Sequence, residues 1–152
     1  MILTIFYLIK LFWVCSAFVL GSLLLEDHGE QLILERSLNA NATPALTLRL
    51  FTNNITPAEG DTFATYTEAS GNGYASKTLS GGSWTVTTTS GTTEAAYAQQ
   101  TFTFTGALGN VYGYFVVDST TKLFWSERFS DGPYNITANG DAIKITPKIQ
   151  AA

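Results

Sequence analysis

Eight carboxylates punctuate the polar body of the chain: Glu59, Asp61, Glu68, Glu94, Asp118, Glu127, Asp131 and Asp141. Two carboxyl groups flanking a glycosidic bond at a set separation can hydrolyse it, one as acid and the other as base or nucleophile. No spacing here puts such a pair on one face of one element, and the Gly, Ser and Asn neighbours mark these acids as residues of solvated turns. Nucleophilic and metal chemistry are poorer still. The chain holds one histidine, His28, and one cysteine, Cys15, so neither a His/Cys zinc site nor a Cys/His pair in the polar body can be assembled. His28 follows Asp27, but no serine occupies the strand–turn–helix elbow that would complete a triad. It reads as a surface histidine at a helix start. Glycines stand between strand-like runs, where turns need positive φ, and none opens a helix to cradle phosphate. The expectation is a protein that is not an enzyme, with no catalytic residue, no cofactor and no metal.

Two recognition features remain. Trp84, Trp125, Tyr112, Tyr114 and Phe115 could form an aromatic platform for sugars, but they fall inside strand-like runs, where large rings fill a core. Asn41-Ala42-Thr43, Asn54-Ile55-Thr56 and Asn135-Ile136-Thr137 match the N-glycosylation acceptor pattern, which a chain this rich in Asn and Thr meets by chance nearly twice, roughly. A net charge of −4 leaves no basic footprint for a phosphate backbone, so nucleic acid is not an expected partner.

The elements that position these residues are mostly strands. Only 13% of the 152 residues are charged, and Thr, Ser, Asn and Gly supply the polarity, a strand former with turn formers. Ala45–Phe51 alternates Leu46, Leu48 and Leu50 against Thr47 and Arg49, the period of a half-buried strand. Further strands are expected at Thr62–Glu68, Tyr74–Leu79, Ser83–Thr89 (with Trp84, Val86 and Thr88 on one side), Glu94–Thr105, Tyr134–Thr137 and Ala142–Ile149. Val111–Asp118 is apolar enough for burial on both faces and pairs with Lys122–Phe129 as a hairpin. Residues 45–152 therefore read as one mainly β domain, an antiparallel β-sandwich of about eight strands, jelly-roll or immunoglobulin-like. Residues 26–44 read as a short amphipathic helix, over 29–39, and a linker ending at Pro44.

Residues 1–25 are apolar except for Lys10 and stop at Glu26-Asp27. As a helix they would rise about 37 Å, enough to cross a bilayer core of about 30 Å. A membrane anchor, a signal peptide cut before Ser22, a helix buried against partners, and a stretch added by too early a start codon all stay open.

The strings GEQLIL at 29–34, LTLRLFTNNITP at 46–57, GYASKTL at 73–79, VYGYFVVD at 111–118 and LFWSERF at 123–129, in that order, resemble small virion structural proteins of tailed bacteriophages. The resemblance covers roughly residues 29–149 and implies a capsid decoration or tail-associated subunit, located in the virion. Its partners would be other virion proteins and further copies of itself. The helix face over Glu30–Asn39 and an open sheet edge would make the contacts, with a membrane involved only if residues 1–25 are retained. Proteins of that kind start shortly before the helix, whereas this chain carries 1–25 in addition. The alternative is a secreted or membrane-anchored module that binds carbohydrate or another cell.

Overall fold

The computed structural model describes residues 24–25, 45–89 and 92–151. The chain is mainly β, and every strand pair is antiparallel. Among the described residues the strands are β1 (Leu24–Leu25), β2 (Leu46–Phe51), β3 (Lys77–Leu79), β4 (Thr85–Thr89), β5 (Thr92–Ala96), β6 (Gln100–Thr103), β7 (Gly109–Val111), β8 (Gly113–Val117), β9 (Leu123–Arg128), β10 (Tyr134–Ile136), β11 (Ala142–Ile145) and β12 (Lys148–Ala151). The helix expected over 29–39 lies outside the described residues, as do 1–23. No helix among the described residues is long and apolar enough to cross a membrane. Leu24 and Leu25, the end of the apolar segment, pair with Ser126 and Trp125 at the edge of the central sheet.

That central sheet has the order β1-β9-β8-β2-β3. Leu46, Leu48 and Leu50 are buried on one face of β2 as their alternation requires, while Phe51 is buried in a second cluster with Phe115 and Val117. All five residues of β8 are buried, because Tyr114 and Val116 enter the first cluster and Phe115 and Val117 the second. A bulge in β9 sets Val116 opposite Trp125 and Val117 opposite Leu123, leaving Phe124 as the extra residue. A bulge breaks the strict alternation of a strand, which is how Phe124 and Trp125, though consecutive, both join the first cluster.

Four of the pairs belong to one long hairpin. From the tip at Asp118–Lys122, where Asp118 N donates to the Lys122 carbonyl, β8 pairs with β9, β7 with β10, β6 with β11 and β5 with β12. Three interruptions bend this ladder. Between the first two pairs, Tyr112 alone on one arm faces residues 129–133 on the other. Residues 104–108 and 137–141 then separate β7–β10 from β6–β11 without changing the register. Near Pro147, whose carbonyl accepts the Tyr97 N–H, the register shifts by one. Unequal arms force a strand to bend and twist, and here they fold the outer ladder over the central sheet. Phe102, Phe104, Val111, Ile136, Ile143 and Ile145 consequently share one core with Leu48, Val116 and Trp125.

Several expected strands are broken. Glu94–Thr105, Val111–Asp118 with its preceding turn, and Ala142–Ile149 each fall at one of these interruptions, so runs that read as single strands become pieces. Thr62–Glu68 is not a strand: Phe63–Thr65 is a 3-10 turn, with Thr62 N–H donating to Thr65 Oγ1. Local side-chain bonds of this kind compete with ladder formation. With three residues per turn, Phe63 and Tyr66 come to the same side and both pack on Phe115, at 5.9 and 5.1 Å between ring centroids.

Gly113 marks the tightest approach, since a Cβ there would lie 2.1 Å from the Glu127 carbonyl oxygen and 2.6 Å from the Phe51 ring. Overpacking a core commonly costs about 1–3 kcal/mol. Gly113→Ala is therefore expected to lower the urea midpoint by that amount or more, whereas Gly82→Ala, with nothing within 4 Å, leaves it near the wild-type value. Starting the chain at Glu26 in place of Ser22 removes β1 and uncovers the β9 edge. The cost expected is about 1–2 kcal/mol, the net worth of one or two backbone hydrogen bonds, read from the same denaturation curves.

Candidate functional site

The segment 52–68 covers the second face of the central sheet and is held by polar nodes. Arg49 on β2 reaches Glu68 at 2.5 Å, both side chains about three-quarters buried, with the guanidinium 5.5 Å over the Phe63 ring. Glu68 accepts the Tyr74 hydroxyl at 2.9 Å, and that same oxygen accepts the Leu50 N–H at 3.1 Å. Below them the Tyr66 hydroxyl donates to Asp61 Oδ2 at 2.8 Å and shares a second hydrogen bond with Ser126 Oγ at 2.8 Å. Asn53 ties the segment to itself, donating to the Thr65 carbonyl and accepting the Thr67 N–H. From β9, Arg128 donates to the Ile55 carbonyl and to Asn54 Oδ1, its guanidinium 5.0 Å over the Tyr112 ring.

These contacts change the reading of the eight acids. Glu59 and Asp131 lie on exposed turns. Glu68, Asp118 and Glu127 are not solvated turn acids: Glu68 is in the ion pair, and Asp118 is 7% exposed, its Oδ1 accepting the N–H groups of Thr120 and Lys122. Glu127 sits on β9 directly opposite Tyr114 and accepts its hydroxyl. In the outer ladder Glu94 accepts from Lys148 and Gln150. Each of these carboxylates closes a turn or a cross-strand pair, and no three His, Cys, Asp or Glu among the described residues gather as a metal-binding group. His28 and Cys15 lie outside the described residues.

The aromatic set is core: Trp125, Tyr114 and Phe115 are buried, and Trp84, half-buried, packs edge-on against Trp125 and Tyr97. Tyr112 is half-buried beneath Arg128. Of the three acceptor motifs, Asn54 and Asn135 are exposed, and Asn41 lies outside the described residues.

What the molecule presents outward is strand β4. It pairs with β5 on one side and, among the described residues, ends the sheet β12-β5-β4. Each of its residues, Thr85 to Thr89, is exposed, and Val86 is 65% exposed. Of the three residues expected on one side of this strand, Trp84 precedes it and is half-buried, whereas Val86 and Thr88 are exposed. Edge strands are normally guarded by charge, proline or a bulge; TVTTT has none of these. The Thr-rich stretch 85–93 already reads from sequence as an exposed strand and turn, as 85–89 prove to be, but its residues do not say which sheet it ends.

No family model, curated protein or solved structure matches the chain.

Burial pushes the Tyr74 and Tyr114 hydroxyls well above the usual tyrosine range, with the Glu68 and Glu127 carboxylates reinforcing the shift. A phenol whose folded pKa exceeds its unfolded one keeps its contribution below about pH 10 and loses it as the unfolded chain ionises above that. Stability is therefore expected to fall above pH 10, and a Tyr74→Phe/Tyr114→Phe double variant should fall less steeply. Absorbance titration at 295 nm checks this, with these two of the seven tyrosines ionising only as the chain unfolds.

Proposed function

We propose that this chain is a non-enzymatic structural subunit of a tailed-bacteriophage virion, a capsid decoration or tail-associated protein that docks on other virion proteins and on further copies of itself. The segments that resemble such proteins supply the class of function. The observation that carries the docking is the unguarded β4 edge. An added strand bonds to such an edge through its main chain. TVTTT pairs favourably with a second copy of itself about Thr87, setting Thr85 against Thr89 and Val86 against Thr88, β-branched pairs of the kind that stabilise ladders. A neutral strip also avoids setting like charges opposite each other in a chain of net charge −4. Each contact need only be modest, because copies on a symmetric shell or ring act together and effective concentration multiplies their affinity.

The same proposal takes the fold as a β-sandwich whose two layers are the central sheet and the folded-back ladder. Of the two forms considered from sequence, the bent hairpin favours the jelly roll, in which strands pair along one antiparallel ribbon wrapped on itself. Flat or twisted, such a body serves as a peg that presents its exposed end strand to a neighbour.

Val86→Lys tests the docking. At a site 65% exposed the change should move stability by no more than about 0.5 kcal/mol, while copurification of the chain with particles drops at least tenfold. Wild-type chain absent from particles, or Val86→Lys chain present at wild-type levels, contradicts the proposal. Full-length chain found only in washed host membranes would replace it with the anchored surface module.

A further inference from the structure

At the middle interruption of the long hairpin an open groove runs along β10 and β11. At one end stands Tyr134, at 37% exposure a large aromatic left open on the surface. Its ring is fixed from behind: the hydroxyl sits 2.7 Å from both Asp131 oxygens, and the ring packs on Phe129 at 4.8 Å. At the other end Asp141 is oriented through a single oxygen, Oδ2, which accepts the N–H groups of Thr137 and Ala138 at 2.8 and 3.0 Å. Those donors hold its carboxyl below the usual range, so it stays ionised, and no described group bonds to Oδ1. Asn135 and Lys144, both exposed, also line it. Neither side chain has a hydrogen-bond or ion-pair partner among the described residues.

We propose that this cleft binds a neutral saccharide, one pyranose ring stacked on Tyr134 and its hydroxyls bonded to Asn135, Asp141 Oδ1 and Lys144. The chemistry selects that class. A fixed aromatic face accepts the C–H side of a pyranose. An amide, a carboxylate oxygen and an ammonium alternate acceptor with donors, as adjacent hydroxyls demand. One cation beside Asp141 and Asp131 leaves no positive excess for a phosphate or an acidic sugar, and the cleft is too open and too polar for a lipid chain. The rings that suggest a platform from sequence, Trp84, Trp125, Tyr112, Tyr114 and Phe115, are taken up by the core and by Arg128, whereas Tyr134 is held outward.

The site is independent of the assembly reading, since it lies on β10 and β11 and not on β4. The test is saturation-transfer NMR of the full chain with methyl glucoside, galactoside, mannoside and N-acetylglucosaminide and their β-linked disaccharides, at up to 10 mM. The expected result is transfer from Tyr134 ring protons to at least one probe, lost at least tenfold in affinity in Tyr134→Ala and retained in Tyr134→Phe. Asn135→Ala and Lys144→Ala, which remove no described contact, should each weaken binding at least threefold with an unchanged melting curve. No transfer to any probe, or binding that survives Tyr134→Ala and Asn135→Ala, overturns the proposal. A chain that binds sugar but never joins particles would sink the virion reading alone.

Discussion

A two-stranded ribbon cannot bury both of its faces, and that constraint governs this molecule. Its longest ladder runs from the turn at Asp118 to the last described strand, β12. Left straight, it would expose Phe102, Ile143 and Ile145 on one side and Phe115 and Val117 on the other. Bending at 129–133 is what turns the outer part back, so that the first three enter the same core as Leu46, Leu48 and Leu50. The other side of the central sheet is then covered by segment 52–68, whose Phe63 and Tyr66 rings close over Phe115.

That cover has little regular structure, and side chains do the work of a ladder. Backbone groups in a loop must find partners when buried. Here they find Asn53, Asp61, Thr65 and Arg128, while Glu68 joins the loop to β2 through Arg49 and to Tyr74. Asp61, Glu68, Glu94, Asp118 and Glu127 are taken up by hydrogen bonds and ion pairs of this framework, while Glu59 and Asp131 stay on exposed turns. Among the described residues, the end strand β4 and a groove where the outer strand breaks stand outside this core.

Much of this was legible from residue types. The alternation of Leu46, Leu48 and Leu50 identified β2 and its buried face, and the apolar run at 111–118 announced a strand covered on both sides. The Asp118–Thr121 hairpin followed from its turn residues. What was not legible depends on pairing. One residue, Tyr112, faces five, 129–133, only after the two arms are aligned, so the fold-back has no local signature. The Thr62–Glu68 segment has strand composition but its ring spacing of three suits a 3-10 turn, a choice decided by Phe115 beneath it. Likewise Tyr134 resembles any strand aromatic until Phe129 and Asp131 are seen to hold it outward.

If the fold leaves β4 open for a neighbour, its amides should report the difference between the free and the assembled chain. The most direct measurement is hydrogen exchange, resolved to short peptides, on the purified chain and on the same chain within particles. The account predicts rapid exchange of the 85–89 amides that do not face β5 in the free chain beside strong protection of 113–117, and slowing of those amides by at least tenfold on assembly. Equal exchange of those amides in both states, or protection there matching 113–117 in the free chain, would contradict it.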